Sequence, residues 1–520
     1  MRLPHFSSVA SLLLFTLPAL ASDCAGLRNA QLANTTITAA SMVVPGTFHP
    51  PYGDPVSKLP AFCRVAAMIR PSSDSEIRVE VWMPESGWNG KYLGVGNGGF
   101  AGTIDFRTLG ANVKHGFATA ATDTGHQAEA GDASWAYKHP EKVVDFGWRA
   151  LHLTTDSAKQ LIASYYGSAP KHAYFDSCSN GGREALMEAQ RFPQDFDGIL
   201  AGAPANYWTA LVSSGALLFQ HVKDPAAYIS ELKLPAISDA VLAACGSQSG
   251  VADGFVNDPP RCNFNPDVLL CKDGDALTCL TRPQLSLLKA IYAGAVDAQG
   301  RQEFPGHRPG TELGPGGWGT WILGGAPGDG FGSEFYRSFF RYVVFDDPAW
   351  SPFNGHFETD LKTANQKAEQ ALNATSPDLH LFQARGGKLI LYHGWSDPAI
   401  PAENTIDYYQ SVRKTMGAEQ TAKFVRLYMV PGMQHCSGGF GPNAFGQLGL
   451  PATGDGVRDA LEHWVENGVA PGDLIVTKYV DDHFDGPVQR TRPLCAYPNV
   501  AKYRGSGDPN DAKNFICAIE

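Results

Sequence analysis

The sequence predicts an α/β fold in which helices cover a mostly parallel β-sheet. Short apolar runs alternate with amphipathic segments along much of the chain, a rhythm that is typical of βαβ units. Ser179 stands on a glycine-rich turn between a predicted strand and a predicted helix, and Asp397 and His435 follow strands predicted later in the chain. At 520 residues, the chain is long enough to bury a large core and to carry a second domain.

The individual elements are predicted from apolar periodicity, with glycine and proline as breakers. Residues 23–60 show no strong periodicity and are expected to form an N-terminal wrap. The predicted strands are Ile77–Met83, Tyr92–Val95, Gly116–Thr122, His172–Phe175, Gly198–Pro204, a run beginning at Lys388, and Phe424–Val430. The predicted helices of this core are Asp145–Tyr166 and Arg183–Phe192.

The turn Asp176–Gly182 has the features of a nucleophile elbow. In α/β-hydrolases, a strained strand-to-helix turn with small neighbours lets the serine Oγ stand clear of the sheet. The usual pattern Gly-x-Ser-x-Gly is met only in its second half, because Ser177 occupies the first glycine position. Taken alone, this turn is also compatible with an ordinary glycine-rich loop.

Asp397 and His435 are the candidate partners of Ser179. Each follows an apolar run that is predicted to be a strand. The chain order Ser179, Asp397, His435 is the α/β-hydrolase order of nucleophile, acid and base. We therefore expect His435 to take the serine proton and Asp397 to hold the imidazole in the required tautomer. His393 and Asp347 are rivals, but neither lies on a loop after a late strand in this order.

The loop Gly96–Gly102 follows a predicted strand and is a candidate oxyanion loop. In α/β-hydrolases, one oxyanion donor is the amide after the nucleophile, which is Asn180 here. The other comes from a glycine-rich loop, which would be the amide of Gly98 or of the glycine after it. A plain tight turn is the alternative. The nearby Asp123 and His126 are explained equally well by an Asx-type turn with a satisfied histidine.

The alternation of predicted strands and helices stops near residue 206 and resumes near residue 385, which predicts an inserted lid. The catalytic domain would then comprise residues 22–205 and 385–520, and the lid domain residues 206–384. Some lid aromatics are expected to stack on a planar substrate ring, although core packing is the commoner role. The cluster consists of Trp318, Trp321, Phe331, Phe335, Tyr336, Phe339, Phe340 and Tyr342.

The N-terminus predicts a secreted protein. Arg2, an apolar core over Val9–Leu17 and the small residues Ala19-Leu20-Ala21 fit a signal peptide over residues 1–21. No later segment is long and apolar enough to predict a membrane span. The net charge of −11, without a basic stripe, argues against nucleic acid as a partner. Asn34 and Asn373 begin glycosylation sequons, which matter only in a host that glycosylates.

An even number of cysteines in a secreted chain predicts disulfides. The ten are Cys24, Cys63, Cys178, Cys245, Cys262, Cys271, Cys279, Cys436, Cys495 and Cys517. Cys245 with Cys262 and Cys271 with Cys279 are the favoured local pairs, although spacing does not fix pairing. Cys178 and Cys436 adjoin Ser179 and His435, so a working triad would bring them close enough for a bond. A Cys178 nucleophile is the rival hypothesis, which an oxidising compartment disfavours.

Cys178-Ser179, Asp397 and His435-Cys436, in this order, resemble the motif of the fungal tannase and feruloyl esterase family, which includes a bacterial enzyme cleaving a terephthalate monoester. Further matching segments are Gly96–Gly99, Thr122–His126, Asp195–Gly198 and Gly202–Ala205. The resemblance spans nearly the whole chain after residue 21. It implies an α/β-hydrolase fold with a large inserted lid domain, the triad above and a Cys178–Cys436 bond. By similarity, the other pairs are Cys24–Cys63, Cys245–Cys262, Cys271–Cys279 and Cys495–Cys517.

The same family carries a calcium loop in its lid, and this chain departs from it. Gly246 and Ser249 stand where the first two family carboxylates are expected, and only Asp253 remains. Because calcium affinity follows the number of hard, charged oxygen ligands, we predict a weak or empty site. The carbonyls of Val251 and Phe255 would be the leftover ligands. No cofactor is expected to be required.

The resulting expectation is a secreted serine carboxylic ester hydrolase that releases a phenolic acid. By resemblance, the substrate is a feruloyl or related hydroxycinnamoyl ester of plant cell-wall polysaccharide. Chain length favours this over a tannase that cleaves galloyl esters. A non-catalytic carbohydrate-binding protein on a hydrolase fold and a peptidase are further alternatives. The sequence has no feature that specifies an oligomeric state.

Overall fold

The computed structural model describes residues 23–519, so the predicted signal peptide over residues 1–21 lies outside the described residues. The strands are β1 (Thr35–Val43), β2 (Gly46–Phe48), β3 (Val56–Leu59), β4 (Phe62–Ile69), β5 (Ile77–Pro84), β6 (Lys91–Val95), β7 (Ala118–Thr122), β8 (His172–Cys178), β9 (Gly198–Gly202), β10 (Ala295–Val296), β11 (Gln302–Phe304), β12 (Lys388–Gly394), β13 (Val425–Val430), β14 (Leu474–Tyr479), β15 (Val488–Leu494), β16 (Val500–Tyr503) and β17 (Phe515–Ala518).

The α-helices alternate with these strands and also build the inserted region. They are α1 (Phe106–Lys114), α2 (Pro140–Val144), α3 (Ala150–Tyr166), α4 (Asn180–Arg191), α5 (Trp208–Ser213), α6 (Gly215–Val222), α7 (Leu234–Cys245), α8 (Arg282–Ala293), α9 (Phe331–Phe339), α10 (Phe357–Leu372), α11 (His380–Ala384), α12 (Glu403–Met416), α13 (Ala418–Thr421) and α14 (Val457–Asn467).

A nine-stranded sheet forms the centre of the molecule, with the order β1-β4-β5-β7-β6-β8-β9-β12-β13. The pairs from β7 to β13 are parallel, and those among β1, β4, β5 and β7 are antiparallel. The inner strands β8, β9 and β12 are buried along almost their whole length, as their continuous small and apolar sequences require in a sheet covered on both faces. This is the α/β-hydrolase arrangement that the sequence predicts.

Helices cover both faces of the sheet, and successive strand residues point to opposite layers. Phe175 of β8 joins the cluster that includes α3, α4 and α12, whereas its neighbour Tyr174 joins the cluster that includes α14. The predicted helix Asp145–Tyr166 begins with a π-helical turn over Asp145–Arg149 and continues as α3. The carboxyl ends of the parallel strands therefore emerge together between the two layers.

The expectation of an irregular wrap over residues 23–60 is wrong for Thr35–Val43, which form edge strand β1 of the main sheet. Its pairing with β4 is antiparallel, with an irregularity between Ile37 and Ala39. Of its nine residues only Ile37 is buried, so backbone hydrogen bonds hold the strand without an apolar alternation in its sequence.

The segment between β9 and β12 contains helices α5–α11 and the short hairpin β10–β11. Its aromatic side chains pack with Phe100 and Phe146 of the catalytic region. The lid boundaries 206 and 384 remain predictions, and they fall between the end of β9 at Gly202 and the start of β12 at Lys388. No helix within residues 23–519 is both long and apolar enough to cross a membrane.

Candidate active site

Ser179 stands between β8 and α4 in a conformation that is rare for a residue with a side chain. Its backbone has φ 66° and ψ −125°, the sharp strand-to-helix turn expected of a nucleophile elbow. A Cβ at Gly181 would lie 1.9 Å from Ser177 Oγ, and one at Gly182 would lie 2.3 Å from the Gly202 carbonyl oxygen. The two glycines are thus required by close packing, and Ser177 is accommodated because its side chain fills the space beside Gly181.

The three predicted catalytic side chains lie in one hydrogen-bonded chain. Ser179 Oγ is 2.8 Å from His435 Nε2, and His435 Nδ1 is 2.7 Å from Asp397 Oδ2. Asp397 follows β12 and His435 follows β13, so neighbouring strands deliver both groups to the edge where β8 delivers the serine. This geometry lets His435 donate from Nδ1 and accept the serine proton at Nε2.

Asp397 is buried and fully hydrogen-bonded. Its Oδ1 accepts from the amides of Ala399 and Ile400 at 2.8 and 3.0 Å. His393, the rival considered above, lies behind it, with Nε2 3.0 Å from Asp397 Oδ2. Burial opposes ionisation of Asp397, but the charge of His435 and hydrogen bonds from His393 and His435 outweigh it and hold the pKa of Asp397 below its usual range.

The candidate oxyanion donors border the serine. Gly98 and Gly99 line the same cavity as Ser179, and a Cβ at Gly98 would meet no atom within 4 Å. Gly99 has φ +56°, and a Cβ there would lie 2.4 Å from the Ala130 carbonyl oxygen. Among residues 23–519, no protein group accepts a hydrogen bond from the amides of Asn180, Gly98 or Gly99. These amides are therefore available to an oxygen of a bound ester.

All five predicted disulfides form. Cys178 and Cys436 are bonded across 258 residues, which ties the serine turn to the histidine loop. Cys178 is therefore not a free thiol nucleophile. The other bonds are Cys24–Cys63, Cys245–Cys262, Cys271–Cys279 and Cys495–Cys517.

Several other candidates lie outside the triad. Asp123 accepts hydrogen bonds from the amides of Arg78 and Gly125, as the turn explanation requires. His126 is stacked on Trp135, with its Nε2 2.7 Å from the Phe100 carbonyl oxygen, and burial lowers the pKa of His126 to about 4.

The remaining candidates are surface or structural groups. Asp347 caps an exposed turn through the amide of Ala349. Of the two sequon residues, Asn34 is exposed, whereas Asn373 is half-buried and its Nδ2 donates to Thr209 Oγ1 at 2.8 Å. The amide nitrogen to which a glycan would be joined is therefore engaged at Asn373.

The loop expected to hold a depleted calcium site places cationic and neutral donors around its carboxylate. The buried Asp253 pairs through Oδ1 with Arg490 and Arg492. Its Oδ2 accepts from Ser249 Oγ at 3.0 Å and from Asn257 Nδ2 at 3.2 Å. Asp253 is the one carboxylate of the predicted calcium ligands, and two guanidinium groups already contact it. This arrangement does not suit a divalent cation, which needs several free, negatively charged oxygens.

The triad opens onto a cavity of about 650 Å³. Apolar and aromatic side chains predominate in its wall, and most of them come from the region between β9 and β12. They include Trp208, Leu211, Leu217, Leu218, Leu287, Ile291, Trp321, Phe331 and Phe335. The Trp321 ring makes an edge contact with the His435 ring, with 5.6 Å between centroids. Such a wall suits a ligand with a planar apolar body.

Residues 63–518 match the family model described as tannase and feruloyl esterase. The chain belongs to this family. It is 45% identical to an uncharacterized esterase of Xanthomonas campestris, over 97% of this chain and 92% of that one. It is 34% identical to a probable feruloyl esterase B-2 of Aspergillus flavus, over 84% of this chain and 83% of that one.

Solved structures agree with the family assignment. The crystal structure of feruloyl esterase B from Aspergillus oryzae superposes with a TM-score of 0.88 at 30% identity, covering 95% of this chain and 99% of the other. A tannin acyl hydrolase from Aspergillus niger gives a TM-score of 0.75 at 23% identity over 94% and 92%, which shows the shared fold. The protein is therefore a carboxylic ester hydrolase of the tannase and feruloyl esterase family.

Sequence reasoning missed two groups beside the site. Glu184 is buried under the oxyanion loop, and only its place five residues after Ser179 hinted at a role. His307 lines the cavity and contacts the carbonyl of Asp397, but it lies in a glycine–proline loop without a recognisable pattern. Both depend on tertiary contacts that have no local sequence signal.

Proposed function

We propose that this family member is a secreted serine esterase that releases ferulic or a related hydroxycinnamic acid from plant cell-wall polysaccharide esters. The observation that carries the proposal is the aromatic-walled cavity into which Ser179, His435 and the Gly98 loop open. The names of the feruloyl esterase relatives support the acyl group. The signal-like N-terminus and five disulfides support secretion, because such bonds persist in oxidising compartments.

In this mechanism, Ser179 attacks the ester carbonyl while His435 takes its proton. The amides of Asn180 and Gly98 hold the oxyanion, and Asp397 stabilises the imidazolium. His435 then protonates the departing alcohol. In the second half, His435 activates a water molecule, which releases the acid from Ser179.

A histidine ring in the cavity wall suits recognition of a phenolic hydroxyl. His307 Nδ1 is 3.2 Å from the Asp397 carbonyl oxygen, to which it donates. Burial lowers the pKa of His307 to about 4, so the ring is neutral at pH 7 and its Nε2 is a hydrogen-bond acceptor. A phenol donates well to such an acceptor, whereas an unsubstituted ring leaves it unpaired.

The test is hydrolysis of methyl ferulate, methyl caffeate, methyl cinnamate and methyl gallate by the wild type and by Ser179→Ala. We expect turnover of ferulate and caffeate, slower turnover of cinnamate, and loss of at least about 10³-fold in kcat in the variant. A fluorophosphonate probe should label the wild type and not Ser179→Ala. Cleavage of gallate alone would replace the proposal by tannase activity, and equal rates for both proteins would remove Ser179 as the nucleophile.

A further inference from the structure

A buried carboxylate lies beneath both halves of the candidate oxyanion hole. Glu184, in the first turns of α4, is only 2% exposed. Its Oε2 accepts a hydrogen bond from the Asn97 amide at 2.9 Å, and its Oε1 accepts one from Asn180 Nδ2 at 3.0 Å. One side chain thus bridges the loop after β6 and the first residue of α4.

The contact to Asn97 fixes the direction of the oxyanion loop. The Asn97 amide points back toward Glu184, and its side-chain Nδ2 donates to the carbonyls of Thr103 and Thr122, both at 2.9 Å. Asn97 is thus held at its backbone and at its side chain, and the residue that follows it, Gly98, lines the cavity. Gly96 makes the approach possible, because a Cβ there would lie 2.6 Å from Glu184 Oε2 and equally close to Ser177 Oγ.

The contact to Asn180 is equally specific. Asn180 Oδ1 accepts from Arg183 Nε at 2.7 Å, so its Nδ2 must face Glu184. The Arg183 guanidinium is itself anchored to the carbonyls of Gly147 and Phe146 at 2.7 and 3.1 Å. This chain of contacts orients the residue whose backbone amide is the first oxyanion donor.

Two acceptor oxygens are needed between the Asn97 amide and Asn180 Nδ2, which explains why residue 184 is a glutamate. A carboxylate accepts from both N–H groups, whereas a glutamine has one acceptor oxygen and would turn an NH₂ group toward the other donor. Burial raises the pKa of Glu184 to about 7, because removal from water disfavours the charged form of the carboxyl.

We propose that Glu184 is a positioning residue that holds the amides of Gly98 and Asn180 in register for the oxyanion. The inference rests on the proposed serine mechanism and extends it by a group that touches neither substrate nor triad. Loss of Glu184 should therefore lower kcat and leave KM nearly unchanged, because the oxyanion hole is complementary to the charge that develops in the transition state.

The test compares Glu184→Gln with Glu188→Gln. Glu188 lies one turn further along α4, is 1% exposed and adjoins Asp195, away from the oxyanion loop. The measurements are kcat and KM for p-nitrophenyl acetate, and the inhibition constant of an aryl trifluoromethyl ketone, which forms a tetrahedral oxyanion with a serine. Using a simple acetate separates this test from the proposed acyl group, and Ser179→Ala separates it from the proposed nucleophile.

For Glu184→Gln we expect kcat to fall about 10- to 100-fold with KM within about twofold, and the ketone to bind more weakly by a similar factor. Glu188→Gln should change neither by more than about twofold. Asn180→Ala removes the side-chain contact to Glu184 while keeping the backbone amide, so it should show the same pattern with a smaller loss, and it serves if Glu184→Gln does not fold. Unchanged kcat, a lower kcat with unchanged ketone affinity, or equal losses in Glu188→Gln would each overturn the proposal.

Discussion

The proposed catalytic triad and the wall of the cavity come from two regions that are built differently. β8, β12 and β13 bring Ser179, Asp397 and His435 to one edge of a regular parallel sheet. The region between β9 and β12 supplies no triad side chain, yet it provides most of the apolar lining from short helices, π-helical turns and glycine-rich loops. The comparison indicates that backbone topology positions the triad, and that side chains on an irregular segment form most of the cavity wall.

The largest expected effect is on the sheet side of this comparison, with Asp397→Asn. The amides of Ala399 and Ile400 require an acceptor at Oδ1, so the new NH₂ group must face His435 Nδ1. His435 would then accept at Nδ1 and carry its proton at Nε2, where it cannot take the serine proton. We expect kcat to fall about 10⁴-fold for every ester, with little change in KM.

Asp347→Asn is the matched control for Asp397→Asn, because it makes the same chemical change at an exposed turn of the inserted region. Its kcat and KM should equal those of the wild type on p-nitrophenyl acetate and methyl ferulate. Retention of more than about a tenth of kcat in Asp397→Asn would mean that the tautomer of His435 does not depend on Asp397.

The sequence predicted the arrangement of the strand-end residues far better than the residues that line the cavity. The meeting of Ser179, Asp397 and His435 could be predicted because residues at strand ends follow local signals: an apolar run, then glycine or proline, in a fixed chain order. The short elbow strand was also recognisable, although β8 extends to Cys178 and α4 begins directly at Asn180.

What sequence reasoning missed depends on distant partners. β1 is held by backbone pairing at a sheet edge and has no apolar alternation. The two arginines that pair with Asp253 lie 237 and 239 residues away along the chain. The aromatic residues of the inserted region were evident as a cluster, but composition does not tell which ring faces the cavity. Trp321 does so, whereas Trp318 is fully buried beside Tyr292.

A smaller effect is expected on the cavity side, with Trp321→Ala. Its ring lies against His435 and near Phe335, in position to stack on an aromatic acyl group. We expect KM for methyl ferulate to rise about 2- to 12-fold, the range of one aromatic contact, while kcat/KM for p-nitrophenyl acetate changes less than about twofold. The measured quantity is the ratio of the two kcat/KM values.

Trp350→Ala is the control for Trp321→Ala within the same region. Trp350 packs against Tyr336 and Phe340, so its loss should lower thermal stability without changing that ratio. Equal ratios in wild type and Trp321→Ala would show that the ring is only a packing residue. The division between catalytic sheet and selective insertion would then need another residue to support it.

The smallest expected effect is that of removing or adding calcium. The sequence predicts only a weak or empty calcium site in the loop that contains Asp253. Treatment with EDTA should leave kcat and Tm of this protein unchanged, and added calcium should not raise Tm, because Arg490 and Arg492 already neutralise Asp253. Arg492→Leu shows that the assay can report on this site, since it removes one partner of a buried carboxylate and should lower Tm by several degrees. A loss of Tm in EDTA that calcium restores would mean that a cation, and not the arginine pair, holds this loop to the C-terminal strands.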